Sequence, residues 1–247
     1  MKAGTMARTA AEMEAGSRIV PQLPLALASP PDQRLRSYLQ APAGLLEQLR
    51  TLAEGVSDPL YLHGARATGK THLLVAACAH AEQAGRHPAY LSLRGLSGRV
   101  AQAVEGLEAA DLLALDDLDA VVDNRADALA LFELHNRMRD AGRGLLYAAS
   151  APPDGLPVAL ADLRSRLAQC MRWALPVLDD AGRAQLLRAR AAARGLDFDE
   201  AALDWMLRRC SRDLGSLTTL FEQLDRASLA AQRRLTVPFL RQVLSAG

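Results

Sequence analysis

A short apolar run, Leu60-Tyr61-Leu62-His63, ends in Gly64, turns through Ala65, Arg66, Ala67 and Thr68, and reopens after Gly69 as Lys70-Thr71-His72-Leu73-Leu74. Gly64, Gly69, Lys70 and Thr71 satisfy the pattern G-x-x-x-x-G-K-[ST], which fixes a strand, a tight loop and a helix in that order. Glycines let the loop curl until successive N–H groups face a phosphate, and the following helix points its positive end at the same place. Residues 64–72, from Gly64 to His72, are therefore the candidate cradle for ADP or ATP. Lys70 would reach the outer phosphates and Thr71 would hold Mg²⁺ through its hydroxyl. The chain has only two lysines, Lys2 and Lys70, and otherwise uses arginine as its strong base. Lys70 departs from that habit at the one place where a compact ammonium fits and a planar fork does not.

Around this motif, strand and helix signals alternate. Strands are expected at Leu60–His63, Ala89–Leu93, Leu112–Leu115, Leu145–Ala149 and Met171–Leu175, and short helices at Leu35–Leu39 and Leu45–Leu52. Longer helices are expected at Thr71–Ala84, Ser97–Glu105 and Ala126–Asp140. Such alternation predicts an α/β domain with a five-stranded parallel sheet covered on both faces. After Pro176 the strand signals stop. Helical patterns follow at Asp179–Arg194, from Asp199 or Glu200 to Cys210, at Leu214–Gln232, and from Val237 to about Leu244. A small all-helical domain is thus expected over 177–247, behind an α/β domain over 32–176.

The run Leu112-Leu113-Ala114-Leu115-Asp116-Asp117 is a buried-strand pattern that ends in two carboxylates. Held at the carboxyl end of a strand beside the loop, they suit a metal ion and an attacking water. Asp116 would orient Mg²⁺ and Asp117 the nucleophile. Ser150, closing the next strand, is placed to contact the terminal phosphate or that water.

Composition excludes several other classes. The net charge of +1 gives no global basic field, and aromatics at 4% give few stacking platforms, so little direct sequence-specific DNA binding is expected. Cys78, Cys170 and Cys210 are scattered and form no C-x-x-C, which suggests neither disulfides nor zinc. With no apolar run of spanning length and no signal segment, a cytoplasmic protein without a membrane partner is expected. Residues 1–20 read as a disordered tail. Residues 21–31 differ: prolines at Pro21, Pro24, Pro30 and Pro31 force Gln22-Leu23-Pro24-Leu25-Ala26-Leu27 to be extended. That apolar piece is either an edge packed on the domain or a peptide that enters another protein's groove.

A P-loop domain with an acidic strand end and a helical lid is similar to the AAA+ class of ATPases. Gly69-Lys70-Thr71-His72-Leu73-Leu74 and Asp116-Asp117 resemble the DnaA family of bacterial replication initiators, and Leu163-Arg164-Ser165-Arg166-Leu167 resembles that family's arginine-finger box. The chain stops soon after the helical region, so no C-terminal helix-turn-helix domain is expected. Gln22–Leu27 resembles a peptide that binds the replicative sliding clamp. With the C-terminal runs Gln223–Ser228 and Ala231–Thr236, these features resemble the Hda family of DnaA-related regulatory inactivators.

The resemblance implies a negative regulator of replication initiation. It would bind the DNA polymerase III sliding clamp (β subunit) loaded on DNA through Gln22, Leu23, Pro24, Leu25, Ala26 and Leu27. It would then present Arg166 to ATP held by DnaA. In that family a lid arginine commonly touches the phosphates; here Gly215 stands at the expected position and Arg212 lies one turn earlier, so weak intrinsic hydrolysis is expected. A self-contained ATPase of the helicase-loader kind, a clamp-tethered adaptor with a structural nucleotide, and a homo-oligomer stay open.

Overall fold

The computed structural model describes residues 34–55, 58–193, 199–209 and 236–245. The tail, the Gln22–Leu27 peptide, the expected helix at Leu214–Gln232, Arg212 and Gly215 lie outside them. Five strands form one parallel sheet: β1 (Leu60–His63), β2 (Pro88–Ser92), β3 (Leu112–Asp116), β4 (Gly144–Ala149) and β5 (Met171–Ala174), in the order β2-β3-β4-β1-β5. Period-two alternation sends successive residues to opposite faces. Leu60, Leu62, Leu112, Ala114, Leu146 and Ala148 meet α1 (Leu45–Ala53) and α2 (Lys70–Gln83) on one face. Tyr61, Leu113, Leu115, Leu145 and Tyr147 meet α4 (Arg125–Asp140) and α5 (Ala161–Gln169) on the other. Both faces are apolar, which is why these strands read as continuous hydrophobic runs.

The order puts β1 between β4 and β5, so the loop after His63 emerges inside the sheet's carboxyl edge, with β3 two strands away. In the helical region α6 (Asp180–Ala193), α7 (Glu200–Arg209) and α8 (Val237–Ser245) share a separate core through Leu187, Ala202, Leu203, Met206 and Leu240. Pro238 falls in the first turn of α8, where its missing N–H costs nothing. No helix among the described residues is long and apolar enough to cross a membrane.

Three expectations need correction. The helix expected over Ser97–Glu105 shrinks to one turn, α3 (Val100–Ala103), because Gly95, Gly98 and Gly106 all take positive φ around it. Asp127, buried on α4, fixes the remaining turn by accepting the N–H groups of Gly98 and Val100 at 2.6 and 3.1 Å. At Leu35–Leu39 there is only a single 3-10 turn, Leu35–Ser37. Finally α5, absent from the expected helices, carries Arg166; Leu163 and Leu167, four apart, bury its inner face. Beneath α5, His135 Nδ1 lies 2.9 Å from the Tyr147 hydroxyl, the two rings stacked. Burial, with Arg166 and Arg139 nearby, pushes the His135 pKa down to about 4.

Candidate nucleotide site

The loop's shape follows from its two glycines. A Cβ on Gly64 would stand 2.6 Å from the Leu175 carbonyl oxygen, so a side chain there would push β1 and the end of β5 apart. Gly69 has φ +89°, and a Cβ would sit 2.7 Å from the Tyr38 ring. Between them the loop is tied to itself: Thr68 Oγ1 donates to the Ala65 carbonyl at 3.0 Å, and Tyr38 Oη donates to the Thr68 carbonyl at 2.7 Å. Burial pushes the Tyr38 phenol up to about 12, which keeps it a donor. Lys70 Nζ donates to the Gly64 and Ala65 carbonyls at 2.7 and 2.8 Å, so its ammonium lies within the curl of the loop. Burial pulls the Lys70 pKa down, and Asp116, Asp119 and Asp117 act in the opposite sense.

Opposite the loop, Asp116 is almost completely buried and fully partnered. Its Oδ2 accepts from Thr71 Oγ1 at 2.5 Å and from Tyr90 Oη at 3.1 Å, and its Oδ1 accepts the Asp117 N–H at 2.9 Å. All three donors are neutral, so none of them is a cation set against the carboxylate. Burial, reinforced by Asp116, pushes the Tyr90 phenol well up and holds it as a donor. Thr71 and Asp116 thus converge on one point at the foot of the loop. One hydroxyl and one carboxylate suit Mg²⁺, which takes its other oxygens from phosphates and water. Among the described residues no group of three or more His, Cys, Asp or Glu would hold a metal by itself.

Asp117 and Ser150 are differently placed. Asp117 has φ +55° and turns toward β2, where Arg94 Nη2 and Nε reach its two oxygens at 3.0 and 3.3 Å and Ser92 Oγ donates at 3.2 Å. Ser150 gives both its N–H and its hydroxyl to the Asp119 carboxylate. Each is therefore engaged by a neighbouring side chain.

A cavity of about 480 Å³ opens between loop and lid. It gathers Arg66 through His72, Asp116 and Asp117 from the expected site, with Gly64 and Ala65 behind them as carbonyls to Lys70. Tyr38, Val75, Leu178 and Leu186 supply apolar walls suited to a flat base, and Arg190 of α6 adds a cation from the lid. Sequence reasoning missed Tyr38, Tyr90, Arg94, Asp119 and Arg190. Only Asp119 carried a signal, as the third acid of Asp116-Asp117-Leu118-Asp119.

Arg166 lies elsewhere. Its helix α5 packs on the sheet face opposite α2, and its side chain is exposed with no ion-pair partner among the described residues. Arg164 differs: its Nη2 donates to the Val158 carbonyl at 2.8 Å.

Comparison with known proteins agrees with this architecture. Residues 45–177 match the family model of the bacterial DnaA ATPase domain, and residues 180–244 match that of the Hda lid domain. Among solved structures, domain III of the Thermotoga maritima replication initiation protein DnaA is similar at 17% identity and a TM-score of 0.73, over 88% of this chain and 97% of that one. A replication initiator DnaA bound to AMPPCP and single-stranded DNA is similar at 20% identity and a TM-score of 0.66, over 79% of this chain. The match spans 65% of that initiator's length. The Thermotoga maritima RuvB Holliday junction branch migration motor is similar at 16% identity and a TM-score of 0.61, over 87% of this chain and 72% of that one. At these identities the structural likeness is one of fold.

Proposed function

Because the chain belongs to the bacterial DnaA ATPase-domain family, with a lid of the Hda type behind it, we propose that it is a regulator of replication initiation acting on DnaA itself. It holds ADP or ATP between the loop and the lid, with Lys70 and the loop N–H groups on the phosphates and Thr71 and Asp116 on Mg²⁺. That nucleotide sets the shape of the docking surface. Residues Gln22 to Leu27 tether the protein to the sliding clamp on DNA, and Arg166 enters the ATP site of DnaA. There it stabilises charge on the transferring phosphoryl group, leaving DnaA with ADP and less able to initiate again.

The observation that carries this reading is the contrast within Leu163-Arg164-Ser165-Arg166-Leu167. Both side chains are exposed, but Arg164 is held by a backbone carbonyl, whereas Arg166 has no ion-pair partner among the described residues and lies on the sheet face opposite its own P-loop helix. A guanidinium so placed serves a neighbour's nucleotide rather than its own.

The test is hydrolysis of DnaA-bound ATP with this protein, clamp and DNA. Arg166→Ala and Arg166→Lys should keep nucleotide binding, clamp binding and stability, and lose nearly all stimulation. Lysine fails because it cannot present a planar fork. Fingers of this kind contribute about 10³–10⁵-fold, or ~4–7 kcal/mol. Wild-type stimulation by Arg166→Ala would refute the assignment. A second reading, a self-contained ATPase of the loader kind, draws on the intact Thr71–Asp116 pair. It requires brisk turnover by the isolated protein.

A further inference from the structure

Leu163 and Leu167 pack α5 onto an apolar layer, but a polar pair stands within that layer. Tyr147 rises from the middle of β4, held on both sides by the sheet, with Leu115 of β3 and Tyr61 of β1 as its register partners. Its phenol is buried, and burial pushes its pKa far up, so it keeps its hydrogen and donates it. Among the described residues the acceptor is His135 Nδ1 on α4, 2.9 Å away, which leaves the ring neutral with its own hydrogen on Nε2. The two rings stack, 6.0 Å between centroids and 13° from parallel. A hydrogen bond between two rigid rings is a spacer of set length and direction.

Above the spacer lies the last turn of α5, which packs along α4. The Cys170 N–H closes that turn on the Leu167 carbonyl at 3.2 Å. The Cys170 thiol, which burial pushes up to about 12, donates to the Arg166 carbonyl at 3.4 Å. The Arg166 cation is near enough to His135 to oppose protonation of the ring, as Arg139 does from α4 itself. We propose that His135 and Tyr147 are positioning residues: bonded to each other, they form a post that sets the height of α4 and α5 over the sheet, and so the reach of Arg166 into a neighbour's nucleotide site. The inference rests on the reading of Arg166 as a finger acting on DnaA-bound ATP. A finger acts only where charge develops on the transferring phosphoryl group, and a misplacement of ~1 Å can cost about 10²-fold. The contacts of Leu163 and Leu167 set no such limit, because apolar burial is non-directional. The hydrogen bond supplies the direction that they lack.

The experiment measures hydrolysis of DnaA-bound ATP against the concentration of the full-length protein, with clamp and DNA, together with Tm and ADP affinity. His135→Phe and Tyr147→Phe each keep an aromatic ring and strand the other's polar atom. Each should lower Tm and cut the saturating rate about 10- to 100-fold. The half-saturating concentration and the ADP affinity should stay as in wild type. The double variant strands nothing, and two apolar groups of similar shape should bring Tm back close to wild type. Its saturating rate should stay low, because no bond then holds the spacing. A merely structural pair would recover rate and Tm together.

Single variants that lose Tm but keep the saturating rate overturn the post. Variants that reach the wild-type rate only at higher protein concentration also overturn it, by placing the pair in the docking surface. If Arg166→Ala is inactive while the double variant is fully active, the post falls and the finger stands. If wild type fails to stimulate DnaA, or Arg166→Ala stimulates as well as wild type does, the finger reading falls and takes the post with it.

Discussion

Lys70→Ala separates the part Lys70 plays in the folded protein from its part in binding. The ammonium makes two hydrogen bonds within the protein, to the Gly64 and Ala65 carbonyls, at a site partly open to water. Water can satisfy both carbonyls after truncation, and burial already opposes the charge. The loss should be about 0–1 kcal/mol, or at most ~4 °C in Tm for a chain of this size. Binding is different. Ligand at about 100 times its Kd stabilises the folded state by ~2.7 kcal/mol, which raises Tm by roughly 5–11 °C. If the two charge-assisted bonds pass to phosphate oxygens, losing them weakens ADP by ~3 kcal/mol, roughly 150-fold. At the same ADP concentration the variant would then gain only about 0.3 kcal/mol, a rise of ~1 °C. The assay is thermal unfolding with and without Mg-ADP. A Lys70→Ala protein that keeps more than half of the wild-type rise would refute the cradle assignment.

Two further outcomes are expected. Replacing Gln22, Leu25 and Leu27 together by alanine should abolish clamp binding in a pull-down and leave Tm and nucleotide affinity unchanged; a variant that still binds the clamp normally removes the peptide from the proposal. Burial holds His135 at about 4 when folded against ~6.5 when unfolded, so the unfolded chain binds more protons between those values and stability falls as pH drops through that window, by about 2–3 kcal/mol. Denaturant titrations at pH 7 and pH 4 should show this fall in wild type and a smaller one in His135→Leu; equal falls would sink the argument.

What could be read from the sequence depended on how far apart the cooperating residues lie. The loop from Gly64 to Thr71 and the strand ending in Asp116 are each contiguous, and the physics of each is local. Leu60–His63 is found where the apolar run predicts it. Arg94 and Tyr90 reach the site only because β2 lies against β3, an adjacency that strand-helix alternation does not specify. Tyr38 comes from Leu35–Leu39, which reads only as a short helix and folds as a single 3-10 turn over Leu35–Ser37. The same holds on the other side of Asp117. Nothing in Asp116-Asp117 distinguishes a carboxylate left with neutral donors from one clasped by arginine, because the difference lies in φ +55° at Asp117 and in the residue two places past the end of β2. Helix α5 was hidden because its stretch was legible first as an arginine-bearing motif.

Tyr38 has a consequence of scale. Its hydroxyl on Thr68 and its ring over Gly69 fasten the incoming chain to the loop itself. Ten residues separate Leu27 from Tyr38, and covalent geometry lets the eleven Cα–Cα steps span at most ~40 Å. Under the proposed clamp docking, the nucleotide domain would be attached within that radius of the clamp, at its phosphate loop rather than at some remote corner. So short a connection keeps the local concentration of Arg166 around a clamp in the millimolar range. The encounter with a clamp-side target then becomes a search within one small sphere, for which even a weak contact surface suffices.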